Sequence, residues 1–212
     1  MNRVELIVLD FDGGPDLVAC LESISLQSEL PTRLVLFDNG SSIPLSDRMK
    51  DRSWPFETMI VREERNTGFT GGINRSMNAI TTPYVGWINN DVVLDREWLT
   101  TLRAALDADD RLGAVQSIIR GSTAVDGAGI DISSGCFRQL GHGQTIGEFD
   151  TREAWGVSGT ATMFRTDALR ESAVSGFVLH PAFFAYYEDV EVSARLHKRG
   201  WKTAVVPLPL AS

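Results

Sequence analysis

The sequence predicts an α/β fold: a mainly parallel central sheet flanked by helices, with a small antiparallel portion. Two observations carry this. Short apolar runs alternate with helix-periodic segments through the first 119 residues, the pattern of strand–helix–strand crossovers. Beyond residue 120 the alternation gives way to a Gly-rich stretch with short alternating pieces, which suggests hairpins or an irregular surface insert. With 212 residues, 43% of them hydrophobic, the chain suits one sizeable core, read as a single domain over 1–212 with halves at 1–119 and 120–212.

Residues 4–9 read as a buried strand, and 16–27 as a helix with Leu17, Cys20, Leu21 and Ile24 on one face. Residues 33–37 and 58–61 are the second and third strands. A Gly-containing turn leads into a helix over 70–80, and 84–88 is the fourth strand. Asp95 is placed as the cap of a helix reaching residue 108, whose buried stripe is Trp98, Leu99, Leu102 and Leu106. Residues 113–119 form the fifth strand. The Gly-rich insert spans 121–147, and 155–164 reads as strand broken at Gly159. Residues 188–199 form a helix that Gly200 ends, and 201–206 is the last strand.

The formal charge is −8. Phosphate backbones select clustered Lys and Arg, so nucleic acid is not an expected partner. One bound nucleotide stays compatible, because a metal ion can screen its diphosphate. Cys20 and Cys136 lie far apart without metal-ligand spacing and are expected to be reduced and buried. The run at 4–9 is too short for a signal peptide, and no stretch approaches the ~18 apolar residues of a membrane span. The expected location is cytoplasmic, with attachment to the inner face of a membrane through another segment or partner left open.

Open α/β sheets bind ligands beyond the carboxyl ends of their strands. Five segments draw attention on that rule. Asp10-Phe11-Asp12-Gly13 follows the first strand; it is a strand-end turn, a donor contact, or a phosphatase nucleophile and acid. It looks like the first motif of haloacid-dehalogenase-type phosphatases, but the only lysines, Lys50, Lys198 and Lys202, match no further motif of that family. In Asp38-Asn39-Gly40-Ser41-Ser42 the carboxylate either accepts from a base or ribose or caps the next turn. Asn66 through Asn74 contains Gly68, Gly71 and Gly72, which allow close backbone approach before a helix N-terminus, or simply a turn. Asn89-Asn90-Asp91 ends a central strand, where a single carboxylate suits Mg²⁺ completed by phosphate oxygens and water, or else a polar turn. Tyr186-Tyr187-Glu188-Asp189 sets two acids after an aromatic cluster, as a general base beside a sugar platform or as acids favouring a helix N-terminus.

In this order, joined by Leu21 through Gln27, Val157-Ser158-Gly159, Arg195 and Gly200-Trp201, the segments resemble family-two glycosyltransferases of the GT-A fold. The likeness is closest to the bacterial rhamnosyltransferase-like branch and covers nearly the whole chain. It implies an inverting hexosyltransferase of cell-wall or polysaccharide biosynthesis. The sugar would pass from a nucleotide-diphospho-sugar to a glycan or lipid-linked acceptor, with a divalent metal, Mg²⁺ or Mn²⁺. Asp189 would be the base, with Glu188 as its substitute, and Asp91 the metal carboxylate. Asp38 would read the nucleotide base, and Asp10, Asn66, Gly71, Asn74 and Asn90 would line the donor site. Residues 1–119 would bind the donor and 120–212 the acceptor. Three departures stand out. Asp10 and Asp12 occupy positions where the family usually has Asn, Ile73 stands where related branches carry Arg, and no His follows the last strand. A non-catalytic nucleotide-sugar-binding module is the remaining alternative. His142, His180 and His197 match no motif and read as surface or structural.

Overall fold

The computed structural model describes residues 4–132, 135–146 and 154–212. In chain order the elements are β1 (Val4–Asp10), α1 (Pro15–Ser25), β2 (Arg33–Asn39), α2 (Leu45–Arg48), β3 (Glu57–Glu63), α3 (Gly68–Ser76), β4 (Tyr84–Asn89), α4 (Trp98–Ala108) and β5 (Leu112–Arg120). They continue as β6 (Val125–Gly127), β7 (Ile130–Asp131), β8 (Arg138–Gln139), β9 (Ala161–Arg165), α5 (Thr166–Glu171), α6 (Glu188–Lys198) and β10 (Lys202–Ala211). Among the described residues the main sheet has the order β10-β5-β9-β4-β1-β2-β3, with β6 added to β5, while β7 and β8 form a separate hairpin.

The mainly parallel sheet with an antiparallel portion is as expected. β1 pairs in parallel with β2 and β4, and β2 with β3. β9 supplies the antiparallel part by entering between β4 and β5. Only 161–165 of the expected 155–164 strand is regular, because the chain before it leaves the sheet to form a loop. β10 runs to Ala211 rather than residue 206, and its end turns to pair with the segment after β4. Two short helices, α2 and α5, carry too few residues for a periodic signal.

One apolar layer packs α1 and α4 on the sheet, with Trp98, Leu21 and Leu102 among its fully buried side chains. The other packs α3 and α6, with Ile73, Trp87, Phe164 and Leu196. Two local expectations are corrected. Glu97, not Asp95, holds the N-cap position of α4; Asp95 sits two residues earlier, where its Oδ1 accepts the Glu97 N–H at 3.1 Å. The 70–80 helix starts at Gly68 and tightens to a 3₁₀ turn at Met77. Cys20 is buried as expected, but Cys136 is exposed, because it lies in the turn between β7 and β8. Gly147, the last residue of the expected insert, lies outside the described residues.

Candidate active site

The carboxyl ends of β1 to β4 open on one edge of the sheet. There a cleft of about 260 Å³ is lined by Asp10, Phe11, Asn39, Asn66, Phe69 and Asn90, among others. A second cavity of about 600 Å³ adjoins it, sharing Phe69, Asn89 and Ala185.

Asp10 is 1% exposed and fully engaged. It takes the guanidinium of Arg48, the Asn90 side-chain N–H at 2.9 Å, the Gly13 N–H at 3.1 Å and the Ser41 hydroxyl at 3.3 Å. A methyl group on Gly13 would stand 2.1 Å from Asp10 Oδ1, so the turn needs glycine there. Both Asp10 oxygens are committed, which leaves none free for in-line attack on a phosphoryl group. Asp12 accepts the Ser42 N–H at 2.7 Å. The phosphatase reading is corrected on these grounds. Asp10 lines the cleft as a structural keystone.

Asp38, expected at the nucleotide base, is 0% exposed. Its oxygens accept the Ser41 and Leu45 N–H groups, each at 2.9 Å, and the Arg62 guanidinium. Burial alone would raise its pKa, but these donors prevail and hold it below the usual carboxylate range. The carboxylate points into the protein, so a direct contact with a base is not what this geometry provides. The neighbouring Asn39 ties β2 to the loop before α3. It donates to Asn66 Oδ1 at 3.1 Å and accepts the Thr67 N–H at 2.8 Å.

Asn66 and Asn90 are among the residues lining this cleft, and Gly71 and Asn74 are not. Gly71 packs on Thr67, where a Cβ would meet the threonine side chain at 2.6 Å. Asn74 brackets Leu179 instead, donating to its carbonyl at 2.8 Å and accepting its N–H at 2.9 Å.

Asp91 is exposed in the turn after β4 and accepts no hydrogen bond from the described residues. Beneath it the buried Cys20 thiol is pushed up to about 12, by burial first and the Asp91 charge second. Beyond it the chain is braced by β10: the Val93 N–H donates to Ser212 at 2.7 Å and the Asp95 N–H to Leu210 at 2.8 Å. Among the described residues no cluster of three or more His, Cys, Asp or Glu could hold a metal unaided. The donor set at Asp91 therefore fits a cation that keeps most of its ligands from phosphate and water.

Glu188 and Asp189 begin α6 and line the larger cavity with Ser158, Gly159, Arg138, Tyr186 and Tyr187. Glu188 is 6% exposed; burial first and the adjacent Asp189 charge second raise its pKa. Its Oε2 and the Ser158 hydroxyl are both buried without a protein partner among the described residues. The Asp189 pKa is also raised, by burial, against backbone N–H donors that include Gly159. Tyr186 and Tyr187 sit at φ 70° and 67°, left-handed values costing about 1–3 kcal/mol each, and present exposed rings at the cavity rim. The histidines stand apart from this site: His142 is exposed beside Asp126, His180 takes the Ala182 N–H, and His197 binds the Trp155 carbonyl and stacks on its ring.

The sequence did not single out Arg48, Arg62, Gln116, Phe137 or Arg138. The contact from Arg48 to Asp10 spans 38 residues, and local spacing carries no signal at that range.

Residues 6–172 match the profile of Glycosyl transferase family 2. An N-acetylglucosaminyl-diphospho-decaprenol L-rhamnosyltransferase from Mycobacterium tuberculosis is 27% identical, over 95% of this chain and 73% of that protein. S. aureus TarS superposes with a TM-score of 0.70 at 14% identity, over 97% of this chain and 35% of TarS. A mannosyltransferase from Pyrobaculum calidifontis, PcManGT, solved with GDP-Man and Mn²⁺, gives 0.72 at 17% identity, over 99% of this chain and 56% of its own. The chain thus spans about a third to a little over half of these solved chains. Among the described residues no helix is long and apolar enough to cross a membrane. The chain belongs to glycosyl transferase family 2 and is a glycosyltransferase of the GT-A fold.

Proposed function

We propose that the chain transfers a sugar from a nucleotide-diphosphate donor to a hydroxyl of a lipid-linked or glycan acceptor, with inversion, in cell-wall or polysaccharide assembly. The observation that carries this is the pair of adjoining cavities at the carboxyl ends of the strands, with half-buried Asp189 lining the larger one and Asp91 exposed in the turn after β4. Residues 1–119 take the donor, with Asn66, Asn90 and the backbone around Gly68 lining its cleft. Residues 120–212 take the acceptor. Asp189 accepts the proton of the attacking hydroxyl; its raised pKa strengthens it as a base near neutral pH. The Ser158 hydroxyl and Glu188 Oε2, without a partner among the described residues, receive a sugar hydroxyl, which donates to one and accepts from the other.

A divalent ion at Asp91 supplies charge neutralisation for the departing nucleoside diphosphate. Asp10 and Asp38, paired with Arg48 and Arg62, bring no free charge to the donor cleft. The Mycobacterium tuberculosis relative favours a rhamnosyl donor and a diphosphate-lipid-linked acceptor. Action at the cytoplasmic face of a membrane follows from such an acceptor.

The test is a calorimetric screen of UDP-GlcNAc, GDP-mannose and a rhamnosyl nucleotide, with and without Mn²⁺. Mass-spectrometric detection of transfer to an N-acetylglucosaminyl diphospholipid follows. Mn²⁺-dependent donor binding with transfer is expected. Donor binding without transfer across an acceptor panel would favour a binding module instead. Phosphate-monoester hydrolysis that survives Asp91→Ala but is lost in Asp10→Asn would overturn the assignment.

A further inference from the structure

We propose that Gln116 and Thr162 are positioning residues that hold the two peptide units flanking Ser158 and so aim the Gly159 N–H at the Asp189 carboxylate. This rests on the reading of Asp189 as the base.

Gln116 on β5 and Thr162 on β9 are direct cross-strand partners in register, and both are 0% exposed. Gln116 Oε1 accepts the Ser158 N–H at 2.7 Å, and the Thr162 hydroxyl donates to the Ser158 carbonyl at 2.5 Å. Ser158 lies in the loop before β9, outside any strand, so its backbone groups depend on these two side chains. The Ser158 carbonyl shares one planar peptide unit with the Gly159 N–H, and that N–H favours ionised Asp189. A methyl group on Gly159 would meet Phe69 at 3.2 Å and lie 3.9 Å from Glu188 Oε1, so this loop closely backs the acidic pair.

A purely structural role would leave both ends of the Gln116 amide satisfied. Instead its Nε2 is buried with no protein partner among the described residues. A half-satisfied buried amide costs more than an apolar side chain of the same length. What the Gln116 amide provides among the described residues is its Oε1 bond to the Ser158 N–H. The charged and titratable groups facing Asp189 across the cavity are Glu188 on its own helix, Arg138 from β8, and Tyr186 and Tyr187 from the preceding loop. None of them is altered by changing the clamp.

The experiment uses the full chain carrying ¹³C-carboxyl aspartate, with the Asp189 signal assigned through Asp189→Asn. Its titration is followed by NMR in wild type, Gln116→Met, Thr162→Val and Thr162→Ser. Gln116→Met and Thr162→Val are expected to move the Asp189 midpoint upward by about half to one pH unit, because a donor to the charged form is lost. Thr162→Ser, which keeps the hydroxyl, should restore the wild-type midpoint. The acid limb of the transfer rate should shift by the same amount. Unmoved midpoints in both folded variants overturn the clamp. A midpoint shift with an unmoved rate profile overturns the base assignment alone, and with it the catalytic meaning of the clamp.

Discussion

Gly68 lies directly beneath Phe184: a Cβ on Gly68 would stand 2.1 Å from the Phe184 carbonyl oxygen. The Thr70 N–H donates to that same oxygen at 3.3 Å. The start of α3 is thereby docked on the loop that delivers Tyr186, Tyr187 and the acidic pair. The backbones meet closely here, and the Phe184 ring too would stand 2.8 Å from such a Cβ. Gly68 also sits at φ 73°, so Gly68→Ala adds left-handed strain to the clash. It is expected to cost at least about 1–2 kcal/mol in urea denaturation and to lower kcat more than donor affinity.

Asp189→Asn should reduce transfer by about 10²–10⁴-fold while donor affinity, read by calorimetry, stays within about threefold. Full turnover by this variant would remove Asp189 from its role.

The raised pKa values of Glu188 and Asp189 link pH to both rate and stability. For the rate, the base must be ionised, so the acid limb should lie above the ordinary carboxylate range of about 4. For stability, a carboxyl whose folded pKa exceeds its unfolded value favours folding while protonated. That contribution is full below the unfolded pKa and is lost as pH rises through the folded one. Glu188→Gln and Asp189→Asn are therefore expected to raise Tm at pH 7 and to lose that advantage near pH 4. Equal Tm differences at both pH values would contradict the linkage.

Arg48→Met strands a fully buried Asp10 charge. The expected loss is about 3–5 kcal/mol, and adding Asp10→Asn should recover much of it, as a double-mutant cycle in urea would show. Additive losses would mean that the pair is not coupled.

Asp91→Ala touches no hydrogen bond to the described residues, so stability should stay within about 0.5 kcal/mol. Mn²⁺-dependent nucleotide binding should fall at least tenfold; an unchanged titration would exclude Asp91 as the ligand.

The strand–helix alternation of the first half was legible because each run of residues 4–9, 33–37 and 84–88 is buried on both faces and bounded by turn chemistry. The place of β9 was not, since nothing in Ala161–Arg165 distinguishes a strand that extends an edge from one that enters between β4 and β5. The polar loops at the strand ends were found in order, but not the direction each side chain takes. Asp38 and Asn74 have the residue types of ligand contacts, yet one carboxylate turns inward to Arg62 and one amide outward to Leu179. Those directions are set by partners 24 and 105 residues away. Glu188 and Asp189 were recognised together, but their separate roles depend on burial and on the Ser158–Gly159 loop, which only the folded chain brings near.

The antiparallel pairing of residues 210–212 with the turn beyond Asp91 has a temporal consequence. On a ribosome that has released only β1 to β5, the strand leading to Asp91 exists, but its brace has not yet been synthesised. The neighbour that covers the other side of β4, β9, is also still to come. The turn that carries Asp91 is thus completed late in folding, after about 120 further residues.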